Sequence, residues 1–228
     1  MKVKDILLNR DYTGLLENGP INIVVLGDSI THGAQAPGVI DYENVYWNRL
    51  KKKLNKVRNY VPVNMINSGI GGTTAKQAVC RIERDVLKYN PDLTIICFGL
   101  NDINGTLSDY IESLKVIFDK LKVSGHEFIF MTPNMLNTYV PENVDKNFIE
   151  YAAKTAEFQV GGKMDEYMNA AVDLCKSYGI RVCDCYNKWK EMYINGTDTT
   201  VLLANGINHP VKKMHKLFAD MLFDLIMK

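Results

Sequence analysis

Short, continuously apolar runs rich in β-branched residues recur through this chain, with segments of helical periodicity between them. No other feature limits the possible folds as much. Ile21 to Gly27 (INIVVLG) is the first run, and Val61 to Ile66, Leu93 to Phe98, Phe128 to Met131 and Ile180 to Val182 follow. Continuous rather than alternating hydrophobicity marks strands buried on both faces. Four helical stripes lie between or after them: Ala75, Val79, Ile82 and Val86; Leu107, Ile111, Leu114, Phe118 and Leu121; Met164, Met168, Ala171, Cys175 and Tyr178; and a closing Met214, Leu217, Phe218, Met221, Leu225 and Ile226. All four read as core-facing stripes. Strands alternating with amphipathic helices imply right-handed βαβ crossovers and a parallel sheet covered on both sides. The expectation is an α/β fold, a three-layer α/β/α sandwich with a five-stranded parallel, flavodoxin-like sheet ordered 2-1-3-4-5. Chemistry in such sheets sits beyond the carboxyl ends of the strands. An irregular stretch from Thr132 to about Gly162 is expected to cover the site. No repeat, low-complexity tract or linker interrupts residues 1–228, which read as one domain.

The totals exclude several classes of function. With 228 residues, 46% hydrophobic and 23% charged, the chain can bury a core without staples. A formal net charge of +1 speaks against a nucleic-acid surface. Lys51, Lys52, Lys53 and Lys56 do cluster, but Leu50 and Leu54 interleave with them, which is the pattern of a helix's wet face. Five cysteines form no CxxC pair, so no structural zinc site is expected, and reduced thiols are the simplest reading. Cys80, Cys97 and Cys175 fall in apolar or periodic stretches, as small core residues do. The N-terminus lacks the apolar run of a signal peptide, and the apolar runs are too short to span a bilayer. The expectation is a cytoplasmic protein without cofactor, metal, membrane or nucleic-acid partner.

Four polar stretches stand where chemistry would be placed. The first strand runs into Gly27-Asp28-Ser29-Ile30-Thr31-His32-Gly33, where the serine could be no more than a helix cap. Asn67 to Thr74 (NSGIGGTT) follows the second strand, with glycines that let backbone N–H groups approach a ligand. The third strand ends in Gly99-Leu100-Asn101-Asp102. Near the C-terminus, Asn205-Gly206-Ile207-Asn208-His209-Pro210 opens the last helix. Each alone has a plain structural reading: a turn capped by Thr73 or Thr74, an asparagine loop, a proline in a first helical turn.

Taken in order, the four stretches resemble the blocks of the SGNH/GDSL hydrolase superfamily over nearly the whole chain. The resemblance implies a carboxylic ester hydrolase in which Ser29 is the nucleophile and His209 its general base. It also implies an oxyanion hole built from the Ser29 and Gly72 backbone N–H groups and the Asn101 amide. Such roles suit the chemistry, because a serine hydroxyl is a poor nucleophile until a neutral imidazole takes its proton. One position departs from the family. Its aspartate three residues before the histidine is replaced here by Gly206. The groups left to hold the ring are the Asn205 amide, a backbone carbonyl near Asn205 or Gly206, or a distant acid such as Asp198. A Ser–His dyad oriented by uncharged oxygen is favoured, with an imidazole pKa near its ordinary value of about 6.5. His32 reads as loop structure at the pocket, His126 as a residue at a helix C-terminus, and His215 as exposed in the final helix.

The resulting expectation is a serine esterase for short acyl esters, acetyl above all, with carbohydrate-linked esters favoured. Tyr42, Tyr46, Trp47 and Tyr139 are candidate aromatics at the mouth. An acyltransferase or lysophospholipase-like hydrolase would use the same site. A binding protein weakened by loss of the acid, and a flavin binder on the same fold, are the alternatives of other classes.

Overall fold

Strand β1 (Ile21–Gly27) leaves almost nothing of itself to water. Ile23, Val24, Val25 and Leu26 are fully buried in the computed structural model, which describes residues 2–228. A strand of this kind must be central, and β1 pairs in parallel with β2 (Val63–Gly69) on one side and β3 (Leu93–Cys97) on the other. Strands β4 (Phe128–Met131) and β5 (Arg181–Cys183) continue beyond β3, giving the expected order 2-1-3-4-5, all parallel. β2 lies on the edge and is half-buried along most of its length. It also runs further than its apolar residues suggest, so that Asn67, Ser68 and Gly69 end the strand and Gly69 pairs with Gly27.

Helices α1 (Val3–Asn9) and α2 (Tyr12–Asn18) precede β1, and α3 (Ser29–His32) and α4 (Tyr46–Val57) follow it. Next come α5 (Ala75–Val79) and α6 (Ile82–Asp85) before β3, and α7 (Leu107–Val123) before β4. α8 (Ile149–Val160) and α9 (Lys163–Tyr178) precede β5, and α10 (Cys185–Ile194) and α11 (Lys212–Met227) close the chain. α1, α4 and α11 pack together on one side of the sheet, and α5, α7, α8 and α9 on the other. The stripes of α7, α9 and α11 face the core as expected. Phe118 of α7 meets Phe128, Phe130 and Tyr178, and Trp189 of α10 meets Phe218 of α11. Each such buried side chain contributes about 1.5–3 kcal/mol of transfer free energy.

Four local expectations are corrected. The stripe from Ala75 to Val86 is two short helices, and the break holds Arg81. Its guanidinium donates to the Ser68 and Gly27 carbonyls at 2.7 and 3.1 Å and pairs with Asp85 at 2.9 Å, closing the carboxyl ends of β1 and β2. The segment after Thr132 is irregular only to about residue 145. Beyond that lies α8, whose buried face consists of Ala152, Thr155 and Gln159 and so lacks an apolar stripe. His215 is fully buried, stacked on Tyr46 and accepting the Tyr46 N–H at 3.3 Å. Cys80 is exposed rather than core, and all five cysteines are free.

Two glycines let α3 sit against the sheet. A Cβ on Gly27 would lie 2.2 Å from Thr31 Oγ1, and one on Gly69 would lie 2.3 Å from the His32 backbone nitrogen. Gly69→Ala should therefore force α3 away from β2 and destabilise the protein by about 1–3 kcal/mol, an overpacking penalty. That corresponds to a Tm lower by several degrees, about 2–4 °C for each kcal/mol, in a thermal melt. An unchanged Tm would show that α3 can shift freely.

Candidate active site

The turn from β1 into α3 fixes Ser29. Asp28 caps the helix, its Oδ1 accepting the Ile30 N–H at 2.9 Å, and Ser29 occupies the first helical position. The Ser29 N–H is thereby one of the helix's free donors, with no protein acceptor among the described residues. The Asp28 carboxyl is fully buried, and burial pushes its pKa up to about 7, opposed by the Ile30 N–H and reinforced by Asp102. α3 is braced from outside by Trp47, whose indole donates to the Thr31 carbonyl at 2.8 Å, and by Tyr46, whose hydroxyl lies 3.0 Å from Thr31 Oγ1.

The loop before α11 brings His209 to Ser29. His209 Nε2 lies 3.0 Å from Ser29 Oγ, and His209 Nδ1 lies 2.8 Å from the backbone carbonyl of Gln35. A carbonyl can only accept, so Nδ1 carries the proton and Nε2 presents its lone pair to the serine hydroxyl. This is the tautomer that a general base needs, fixed without any charge. Burial lowers the imidazole pKa below its ordinary value, and the bond to the Gln35 carbonyl only partly offsets this, so the expectation of an unshifted ring does not hold.

Asn205 does not orient the ring. Its Oδ1 accepts the backbone N–H groups of Ile207, Asn208 and His209 at 3.1, 2.9 and 2.9 Å, and its amide donates to Asn208 Oδ1. It shapes the loop, while the ring's partner comes from a different segment. Asp198 is engaged elsewhere, with the Tyr139 hydroxyl at 2.7 Å and the Thr200 N–H at 3.0 Å. Gly206 could not hold the family's acid in this conformation. Its φ is +68°, and a Cβ there would meet Pro141 at 2.8 Å and Val144 at 2.9 Å. Gln35 lies in a tight loop after α3, closed by an Ala34–Ile40 bridge and by its own N–H donating to Val39. Nothing in the sequence singles it out, since every residue has a carbonyl.

The other two loops complete one cavity. Gly72 stands in the left-handed region at φ +77°, with its N–H unpaired among the described residues. Thr74 then caps α5 in a reciprocal box with Gln77. Asn101 Nδ2 donates one hydrogen to the Thr73 carbonyl at 3.0 Å, and its second is only weakly engaged, 3.5 Å from Asp28 Oδ2. Asp102 ties the two loops together by accepting the Ala75 N–H at 2.8 Å and the Gly99 N–H at 3.0 Å. Burial raises its pKa to about 6 against those two bonds. Ser29, Gly72, Asn101, Asn205 and His209 all line a pocket of about 320 Å³, with Pro37, Ile40, Phe148, Tyr151 and Ile207 as its apolar wall. The aromatics of that wall are Phe148 and Tyr151, three residues apart at the start of α8. None of Tyr42, Tyr46, Trp47 and Tyr139 lines it, and Tyr46 is fully buried.

A larger open groove of about 1100 Å³ lies at the opposite, amino ends of the strands, between α1, α2 and the turns at Asn90–Asp92 and Gly125–Glu127. Its histidine, His126, has both ring nitrogens engaged, Nδ1 with Ser124 Oγ at 2.9 Å and Nε2 with Asn90 Oδ1 at 3.0 Å. Among the described residues, no group of three or more His, Cys, Asp or Glu side chains is arranged to hold a metal ion, and no helix is long and apolar enough to cross a membrane.

Residues 25–217 match the model of the GDSL-like lipase/acylhydrolase family. No curated protein sequence matches the chain significantly. Among solved structures, an acetylxylan esterase from Geobacillus stearothermophilus is similar with a TM-score of 0.69 at 20% identity, over 90% of this chain and 94% of that one. An α/β hydrolase from the metagenome of Lake Arreo, Spain, gives 0.69 at 18% identity over 91% and 96%. A further acetyl xylan esterase gives 0.68 at 19% over 90% and 98%. At such identities the likeness is one of fold.

The uncharged partner of His209 has a measurable consequence. Burial disfavours imidazolium and no carboxylate stands at Nδ1 to favour it, so His209 should stay neutral to a pH below 6.5. A pH titration of the ring by NMR, assigned with a His209→Gln variant, checks this. A midpoint above 7 would require an anion at the ring.

Proposed function

This chain belongs to the GDSL-like lipase/acylhydrolase family and is a carboxylic ester hydrolase; from that premise we propose that it removes short acyl groups, acetyl above all, from carbohydrate-linked esters through an acyl-enzyme on Ser29. The observation that supports the mechanism is the 3.0 Å approach of His209 Nε2 to Ser29 Oγ with Nδ1 held by the Gln35 carbonyl. Ser29 Oγ attacks the ester carbonyl carbon as its proton passes to Nε2. Charge gathers on the former carbonyl oxygen, and the donors offered to it are the Ser29 N–H, the Gly72 N–H and Asn101 Nδ2 around the same pocket. The tetrahedral intermediate collapses, the carbon–oxygen bond to the alcohol breaks, and Nε2–H returns its proton to the leaving oxygen. A water then attacks the acyl-enzyme with the same base, releasing the acid and restoring Ser29.

The size of the pocket supports the preference for a short acyl group. A cavity of about 320 Å³ shared between acyl group and alcohol leaves little room for a long chain. The rim aromatic Phe148 and its neighbour Tyr151 offer flat apolar surface of the kind that packs on a sugar ring. Two of the similar structures are described as acetylxylan esterases, which agrees with this reading.

Ser29→Ala should abolish ester turnover and leave folding intact. Asn101→Ala should lower kcat about a hundredfold with KM little changed, because an oxyanion donor acts mainly in the transition state. A loss confined to KM would move Asn101 to substrate positioning. Across a panel of p-nitrophenyl esters and acetylated sugars, acetyl and butyryl esters should be hydrolysed fastest. Preference for chains of about twelve carbons or more would sink the short-acyl reading, since each buried methylene adds about 0.8 kcal/mol only if the site can enclose it.

A further inference from the structure

His32 is a ring that the reaction leaves unused, yet it lines the same pocket as Ser29, Gly71 and Gly72. α3 is a single turn, so Ser29 and His32, three residues apart, lie on one side of it. His32 Nδ1 is 3.3 Å from the Gly71 backbone nitrogen, and Nε2 is 3.3 Å from the Tyr42 hydroxyl. A main-chain N–H can only donate, so Nδ1 presents a lone pair to Gly71 and the proton of the neutral ring sits on Nε2, toward Tyr42.

The turn that His32 touches needs such a hold. Its flanks are tied: the Ile70 N–H donates to the Gly27 carbonyl at 3.1 Å, and Thr73 Oγ1 donates to the Ile70 carbonyl at 2.7 Å. Between those ties stand two exposed glycines, Gly71 and Gly72, with the widest conformational freedom of any residue pair. Among the described residues the Gly71 N–H has no other protein acceptor, and the Gly72 N–H must stay free. A Cβ on Gly71 would lie 3.6 Å from His32 Nδ1 and 3.8 Å from Ser29 Cβ, so ring, turn and serine are close neighbours.

We propose that His32 is a positioning residue: by accepting the Gly71 N–H it fixes the Gly71–Gly72 turn, so that the Gly72 N–H stays aimed at the oxygen that becomes negative during ester cleavage. The role rests on the hydrolase reading given above for Ser29, Gly72 and His209. A donor held in place before the reaction stabilises the transition state more than one that must be ordered during it. The effect should therefore appear in kcat rather than in KM.

The test compares His32→Ala, His32→Asn and His32→Gln with the wild type, by p-nitrophenyl acetate kinetics and by the rate at which a fluorophosphonate labels Ser29. Asn places its acceptor oxygen one bond from Cγ, where Nδ1 stands in histidine, and Gln places it one bond further out. In the Ala and Gln variants kcat should fall about tenfold or more with KM within about threefold, while Asn stays within about threefold of wild type. Labelling rates should follow the same order. Unchanged kcat in His32→Ala, equal rates for Asn and Gln, or a loss seen only in KM would each overturn the proposal. Should the Ala variant fail to fold, the Asn–Gln comparison decides alone. A wild type that is not labelled at Ser29 removes the hydrolase reading itself, whereas a labelled wild type with unaffected variants removes only the role of His32.

Discussion

The bond from His209 Nδ1–H to the Gln35 carbonyl is the interaction on which the arrangement of the site depends. It decides the tautomer, and the tautomer decides that Nε2 faces Ser29 with a lone pair rather than a hydrogen. A buried carboxylate at this place would do the same and would also stabilise imidazolium as it forms. The carbonyl supplies orientation with only a dipole, which offsets part of the effect of burial, and burial leaves the ring leaning toward its neutral form. The loop that delivers the carbonyl is short, buried at Ala34 and Gln35 and exposed from Pro37 to Ile40, and it follows directly from the helix that carries Ser29. Ser29 and Gln35 are thus six residues apart on one stretch of backbone, with His209 brought to them from the far end of the chain.

That stretch is held by groups that are costly to bury. Asp28 and Asp102 both sit out of water, with carboxyl pKa values raised to about 7 and about 6. Since each is raised above its ordinary 3.8, the folded state binds more protons than the unfolded one through this window. Both therefore subtract from stability as pH climbs from about 4 toward 7. What they contribute is position. Asp28 caps α3 beneath Ser29, and Asp102 accepts main-chain N–H groups from both Ala75 and Gly99, joining the loop of Gly72 to that of Asn101. Arg81 acts similarly from below, donating to the Ser68 and Gly27 carbonyls at the carboxyl ends of β2 and β1.

The sheet was legible because its central strands are buried on both faces and so spell continuous apolar runs. Ser29, Gly72, Asn101 and His209 were legible as a set because side-chain chemistry and glycine conformation leave residue types behind. Gln35 was not, because a carbonyl belongs to every residue and only the path of the chain selects one. α8 escaped for a related reason. It buries Ala152, Thr155 and Gln159, with Thr155 donating to Asn137 Oδ1 at 2.6 Å and Gln159 accepting the Leu136 N–H at 2.9 Å, so its inner face is polar and shows no stripe. Phe148 and Tyr151 went unnoticed with it. His215 could have been read correctly, since spacings of three, four and four to Phe218, Leu222 and Ile226 place it on the buried face of α11.

Gly206 gives the loop a direction it cannot easily reverse. The position that bears an acid in the family is here a left-handed residue wedged between Pro141 and Val144, two side chains that an aspartate Cβ would overlap. Restoring the carboxylate would need either a changed backbone at 206 or a shift of Pro141 and Val144, so a single substitution at 206 does not suffice. Meanwhile the carbonyl at position 35 is supplied by any residue that lets the loop keep its course. In the proposed mechanism a three-member catalytic set would thus keep only two side chains exposed to point mutation, with the third member written in the course of the chain rather than in a codon.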